Sequence, residues 1–387
     1  MFYIKNNNNL YDKKLFNIFL FLISFGFIMI ISSSMPYGYK LSKDILFFVK
    51  KTILIILLIF ILSPIILNLP IKIWNYYSFH ILLLNLVLLL ISLILGKKIN
   101  GSRRWIKLGI LTIQPSELIK FTLINYFSSC LSNYIKGEDN KLCKIEYFFL
   151  FFFIILLLLL FQPDIGTFLI LLLTILSVLI ILNINIKRIF YILLVFSFFI
   201  KKILNKKYIL IRLIAFLNPW KDPFNSGYQL IQSFISYGRG GIFGRGLGNS
   251  IQKMNYLPES YNDFIFSIIS EEFGYLFSLT IILLIFFISI KAIRIGNESI
   301  RLNNIFESII SYSIGIWINI QTNMNIGTAI GIIPTKGITL PLISYGGSSL
   351  LITSISIFIL IRIDFENKLK SKFQVINKNE KKNNYNY

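Results

Sequence analysis

Ten separate apolar runs constrain this chain more than anything else in it; they fall near 15 to 34, 45 to 69, 77 to 95, 112 to 133, 146 to 162, 164 to 183, 187 to 204, 264 to 290, 305 to 329 and 342 to 363. A hydrocarbon core of about 30 Å is crossed by roughly 20 apolar residues in a helix. The runs are continuous rather than alternating, so each reads as a helix that satisfies its own backbone in lipid and not as a barrel strand. With 55% hydrophobic and 14% charged residues, no soluble core could hide the apolar side chains. The expected fold class is an all-α polytopic membrane protein of about ten transmembrane helices, the fifth and sixth abutting at Gln162-Pro163-Asp164. Lys13 and Lys14 precede the first run, but its length and the lack of an Ala-x-Ala-like site make it a retained span and not a cleaved leader.

One stretch departs from this pattern. From about 205 to 263 the chain turns polar and glycine-rich, running through Asn218-Pro219-Trp220-Lys221-Asp222-Pro223-Phe224, then Gly238 to Gly248, then Leu257-Pro258-Glu259-Ser260-Tyr261-Asn262-Asp263. Its aromatic and proline content without low-complexity runs predicts an ordered, functional loop. The organisation expected is a short N-terminal tail over 1–14, a membrane domain over 15–366 that carries this loop between helices 7 and 8, and a basic, disordered tail over 367–387.

Thirty-nine Lys and Arg against 17 Asp and Glu give a net charge of +22. The basic residues are scattered among the spans, which argues against a nucleic-acid partner. With the N-terminus in the cytoplasm, ten spans return the C-terminus there, and both faces then hold similar numbers of Lys and Arg. The positive-inside rule does not by itself orient such a chain. Arg103 and Arg104 sit in a short loop on the face opposite the termini, where positive charge would make sense against an anionic ligand, because Arg pairs bidentately with phosphate oxygens.

Charges inside the runs are costly and mark sites or pairs. Glu117 and Lys120 lie three residues apart on one helical face and can neutralise each other, as a structural ion pair or as cavity residues. Asp164 follows Gln162-Pro163 as Ser116 follows Gln114-Pro115, and it suits a helix cap as well as a site. Glu271 and Glu272 fall within the eighth run, so at least one must meet a cavity or a partner. Gly238-Arg239-Gly240-Gly241 has no preceding strand and no Walker lysine, which leaves close backbone approach as its use and implies no nucleotide. Cys130, Cys143 and the single His80 form no metal spacing, and zinc-hydrolase and acyl-enzyme motifs are lacking.

Leu257-Pro258-Glu259 with Asp263-Phe264-Ile265-Phe266, Arg104-Trp105-Ile106, Gln114-Pro115-Ser116-Glu117-Leu118, Gln162-Pro163-Asp164-Ile165-Gly166-Thr167 and Ile343-Ser344-Tyr345-Gly346-Gly347-Ser348-Ser349 are spread along the chain. Together they closely resemble the SEDS (shape, elongation, division and sporulation) family of membrane peptidoglycan glycosyltransferases, from about Ser34 to Glu366. The Asn218 to Phe224 segment, Leu247 to Lys253 and Pro334 to Pro341 point to its division branch rather than its elongation branch. Tyr261-Asn262 and Ser270 depart from the family pattern, which usually has His-Thr and Gly there.

The resemblance implies polymerisation of lipid II, a disaccharide-pentapeptide on undecaprenyl pyrophosphate, on the outer face of the cytoplasmic (inner) membrane at the division septum. The family's catalytic aspartate falls on Asp263. Residue chemistry alone does not choose between Asp263 and Glu259 as the base that a sugar hydroxyl needs. Arg103, Arg104, Lys336 and Arg239 are the candidates to face pyrophosphate, with Glu117, Lys120 and Asp164 shaping the substrate cavity. A divalent cation, Mg or Mn, is expected to offset the pyrophosphate charge, and no nucleotide is required. The implied partners are a class B penicillin-binding transpeptidase and other divisome membrane proteins. A lipid II flippase and a noncatalytic scaffold are the alternative readings, since a flippase also needs a polar intramembrane cavity.

Overall fold

The computed structural model describes residues 11–99, 102–109, 111–138, 142–183 and 207–384. The helices are α1 (Lys13–Ser42), α2 (Phe47–Asn68), α3 (Ile71–Tyr76), α4 (Ser78–Leu95), α5 (Pro115–Lys136), α6 (Ile145–Phe161), α7 (Ile165–Ile181), α8 (Lys207–Leu217), α9 (Tyr228–Gly240), α10 (Ile265–Arg301), α11 (Ile305–Ala329) and α12 (Gly347–Asn384). Helices occupy each expected apolar run but one, the run at 187 to 204, which lies outside the described residues. Among the described residues, five helices, α1, α2, α4, α10 and α12 up to Gln374, are long and apolar enough to cross a membrane, and α6 and α7 are shorter apolar helices of 17 residues.

The remaining long helices, α5 and α11, are the polar ones, and the fold is built around them. From Pro115 to Asn133 nearly every residue of α5 is buried, including Ser116, Glu117, Lys120, Asn125 and Ser128. α11 likewise buries Glu307, Ser311, Gln321, Thr322 and Asn325. Lipid offers no hydrogen bonds, so these groups must face protein, and the apolar helices supply the outer wall. Large side chains on α2 and α4 such as Leu57, Ile61, Leu84 and Ile94 are left exposed, as a lipid-facing wall requires.

Glu117 and Lys120 form a buried ion pair at 2.7 Å. Lys120 Nζ also donates to Gln321 Oε1 at 2.9 Å, and the same oxygen accepts from Trp317 Nε1 at 2.9 Å. Gln321 Nε2 continues the chain to the carbonyl of Thr339 at 3.0 Å, so α5, α11 and the loop before α12 are joined by one polar network.

The loop between α4 and α5 is not helical. It folds into an antiparallel meander, β1 (Lys97–Ile99), β2 (Ser102–Leu108) and β3 (Leu111–Ile113), with Lys98 opposite Arg103 and Ile106 opposite Ile113. Among the described residues, the long loop before α10 comprises α8, then a 3-10 turn at Pro219–Lys221, then α9, then an irregular helical turn at Gln252–Tyr256.

The buried pair yields a prediction. Glu117→Gln alone strands the Lys120 ammonium in a low dielectric and should cost about 3–5 kcal/mol, whereas Glu117→Gln with Lys120→Met should cost less. Thermal unfolding of the detergent-solubilised single and double variants reads this, and equal losses would show that the pair is not a mutual neutraliser.

Candidate active site

Asp263 is the second residue before α10, at the end of a tight turn in which the carbonyl of Glu259 accepts from the N–H of Asn262 at 3.1 Å and of Phe264 at 3.3 Å. Glu259 itself is left-handed, with φ of 55°. Four elements distant in sequence hold this turn. Asn325 Nδ2, from α11, donates to the carbonyl of Asp263 at 2.9 Å and to that of Ile338 at 2.6 Å. Ser344 Oγ donates to the carbonyl of Asn262 at 2.7 Å, and the N–H of Tyr345 to that of Tyr261 at 3.1 Å. Tyr261 stacks on Tyr37 with centroids 5.2 Å apart and lies 4.7 Å from Phe48, which fixes the turn against α1 and α2. Tyr261, which stands where the family usually has His, is thus packed as an aromatic.

The Asp263 carboxylate faces the loop before α12. A Cβ placed on Gly337 would lie 3.2 Å from Asp263 Oδ2, so only glycine lets the two segments approach without crowding. Burial raises the Asp263 carboxyl and the nearby Glu259 charge raises it further, while Arg212 and Arg104 oppose them, leaving it pushed up to about 8. Lys336, beside Gly337, is half-buried and has no ion pair among the described residues. Burial brings its ammonium down to about 8. A desolvated acid and an unpaired, desolvated cation one residue from its contact make a site poised for proton transfer beside an anion.

The two arginines part ways because neighbours on a strand point to opposite faces. Arg104 turns inward, donating Nε to the carbonyl of Gln162 at 2.9 Å and Nη2 to that of Pro163 at 2.5 Å, with Asp164 at 4.0 Å. Arg103 is exposed and donates Nη1 to the carbonyl of Ile94 at 3.0 Å, so it is not brought to Asp263 alongside its neighbour. Asp164 caps α7, accepting from the N–H of Thr167 at 3.4 Å, and also accepts from Ser116 Oγ at 2.8 Å. The two Gln-Pro motifs that echo each other in sequence therefore meet in space.

Arg239 is engaged elsewhere, 3.2 Å from Glu271. Glu271 also accepts from Ser250 Oγ at 2.5 Å and from the N–H of Ile251 at 3.1 Å. Glu272 pairs with Lys253 at 2.7 Å and accepts from Ser32 Oγ at 2.8 Å. These two glutamates anchor the glycine-rich loop onto α10 at a break in that helix, where Gly274 has φ of 80° and ψ of −179°. The N–H groups of Tyr275 and Leu276 donate to the carbonyls of Gly241 and Ile242 at 3.0 and 3.3 Å, and those of Arg245 and Gly246 donate to the carbonyls of Glu271 and Glu272 at 3.0 and 2.9 Å. A Cβ on Gly244 would lie 2.3 Å from the Glu272 carbonyl oxygen, so close backbone approach is what the glycine there provides.

Among the described residues no group of three or more His, Cys, Asp and Glu could hold a metal. Ser344 and Gly337, which meet the Asp263 turn, lie in motifs that carried the family resemblance, whereas no sequence pattern singled out Arg212 or Asn325. The available signal was the cost of an amide within an apolar run, which Asn325 carries.

The FtsW/RodA/SpoVE model, described as "Cell cycle protein", matches residues 13–369. A relative named probable peptidoglycan glycosyltransferase FtsW, from Buchnera aphidicola subsp. Acyrthosiphon pisum, is 47% identical over 363 residues, covering 94% of this chain and 91% of its own. The protein of that name in Escherichia coli O157:H7 is 43% identical over 366 residues, covering 93% and 87%. Among solved structures, a chain of a peptidoglycan synthase complex that coordinates polymerization and crosslinking aligns with a TM-score of 0.70 at 24% identity, covering 92% of this chain and 97% of that one. The rod shape determining protein RodA of Thermus thermophilus aligns at 0.61 with 23% identity, covering 93% and 98%.

The contact at Gly337 makes a prediction. Gly337→Val would press its methyl groups onto the Asp263 carboxylate, and displacing a reacting group by about 1 Å costs on the order of a hundredfold in rate. Membrane insertion and expression should be unchanged. Full turnover by the variant would mean that Asp263 and Gly337 do not share a reacting site.

Proposed function

Because this chain belongs to the FtsW/RodA/SpoVE family of cell cycle proteins, we propose that it is a peptidoglycan glycosyltransferase that polymerises lipid II at the division septum, with Asp263 as general base. The observation that carries the role of Asp263 is its setting: a carboxyl desolvated and pushed up to about 8, on a turn held by segments distant in sequence, with the cationic Arg104 and Arg212 acting on it.

In this reading the Asp263 carboxylate takes the proton of the acceptor sugar hydroxyl as that oxygen attacks the anomeric carbon of the donor. The bond from that carbon to the pyrophosphate oxygen breaks, and the electron pair leaves with pyrophosphate. A base whose affinity for protons lies near the working pH is the effective kind, because it is both partly ionised and strong. Glu259 supports this by its charge, and Arg104 and Lys336 neutralise the departing oxygens. Arg103 donates to the Ile94 carbonyl and Arg239 pairs with Glu271, so this reading rests on Arg104 and Lys336 rather than on them. Pyrophosphate leaves readily, so a second carboxylic acid to protonate the leaving group is unnecessary. Asp263 opens the face opposite the turn between α10 and α11, and termini in the cytoplasm set that face outward. The related synthase complex supports a class B penicillin-binding transpeptidase as the partner that crosslinks the product.

The test is glycan synthesis by the purified chain with its transpeptidase across a range of pH. Wild-type rate should rise with pH as the Asp263 carboxyl ionises and fall again as Lys336 loses its proton, a bell with its maximum near 8, and Asp263→Asn should lose about 10²-fold or more at every pH. Arg104→Gln removes a charge that favours the carboxylate, so its rate should rise only at higher pH than wild type. Near-normal synthesis by Asp263→Asn would move the base to another residue.

A further inference from the structure

At the face opposite Asp263, beyond the 37 residues of α10, lies a cavity of about 500 Å³ that the reaction does not use. It sits among α3, the start of α4, the end of α5, the turn between α10 and α11, and α12, and its polar wall includes Lys72, Asn75, Asn133 and Asn304. Its acidic residues are already matched: Glu138 lies 3.7 Å from Lys136 and Glu307 lies 4.0 Å from Lys370. Lys72 has no ion pair among the described residues. Lys370 donates to Asn304 Oδ1 at 2.8 Å, which turns the Nδ2 of that amide away, buried and without a partner. The cavity wall therefore carries an unmatched cation, with an unmatched amide donor buried behind it, the complement of a phosphate oxygen.

The cavity does not end in water alone. His80 lines it and also heads a second hollow of about 390 Å³ formed by Leu83, Leu84, Val87 and Leu88. These positions recur at three, four, seven and eight residues from His80, so they make one stripe along the outer side of α4, while Leu82, Asn85 and Leu89 of the same helix are buried. A cationic polar chamber that shares His80 with a shallow apolar strip along a lipid-facing helix has the form of a lipid, with its headgroup in one part and a chain along the other.

We propose that this chamber and strip bind one anionic glycerophospholipid, its phosphate against Lys72 and Asn304 Nδ2 and an acyl chain along Leu83, Leu84, Val87 and Leu88. The site takes lipid from the leaflet opposite the one that Asp263 faces. It depends on neither the glycosyl transfer nor its residues.

Native mass spectrometry of the full chain, released from micelles holding equal phosphatidylglycerol and phosphatidylcholine, reads the proposal without any activity assay. One phosphatidylglycerol should stay bound in preference to phosphatidylcholine. Lys72→Glu should cut that retention about tenfold or more, by the weight that one or two charges carry near a membrane surface. Val87→Trp, which crowds the strip at an exposed position, should reduce it with Lys72 intact, so failure of one variant to fold leaves the other as a test. Inorganic phosphate at millimolar concentration should not displace the lipid. Equal retention of the two lipids, or indifference to both variants, would reduce the site to ordinary annular lipid and overturn the proposal. Displacement by phosphate alone would overturn it as well, by making the chamber an ion site without a chain.

Discussion

Lipid cannot solvate a polar side chain, and that fact orders this whole molecule. Two helices rich in Ser, Asn, Gln and paired charges, α5 and α11, must be enclosed, and the apolar helices are arranged to enclose them. The enclosure gives the protein a polar interior whose hydrogen bonds reach from Lys120 through Gln321 to Thr339, and from Asn325 to Ile338 and Asp263. The same amides that would be a liability in lipid thus fix the backbone on which the Asp263 carboxylate sits. An amide in such surroundings is held by more than one partner, and it positions that backbone more firmly than packing alone would.

The long loop is held by the same logic. A helix broken at Gly274 would leave backbone groups unmatched well inside α10, and the glycine-rich segment supplies the partners. Glu271 and Glu272 fasten that segment through Ser250, Ile251 and Lys253, and Lys253 also reaches Ser32 on α1 at 2.9 Å. The polypeptide from Gly241 to Tyr256 is therefore pinned between two helices before it turns into Glu259 and Asp263. A base on a loop can be as well placed as one on a helix when its flanks are fastened in this way.

Much of this was legible in the residues, and the gaps have physical reasons. Apolar runs announce helices because length and hydrophobicity are local properties, and the paired Gln-Pro motifs were visible because they repeat. The link from Ser116 to Asp164 could only be suspected, since it joins residues 48 apart. The separation of Arg103 from Arg104 was not visible, because it follows from a seven-residue strand whose pattern of charges hides its alternation. Arg239 read as a cation available to substrate, but Glu271, across a loop and a helix break, takes it up. Asn325 and Arg212 were missed because a lone amide or cation states its cost and not its partner.

The central claim is that chemistry happens at the carboxylate on the face where the substrate already lies, and not that the chain carries the substrate across. Proteoliposomes with the chain and its transpeptidase, given lipid II only on the Asp263 side, test this most directly. Long glycan that lysozyme digests is the expected product, with no requirement for lipid II in the other leaflet. Movement of labelled lipid II between leaflets without any glycan would contradict the claim and would make Asp263 a transport residue.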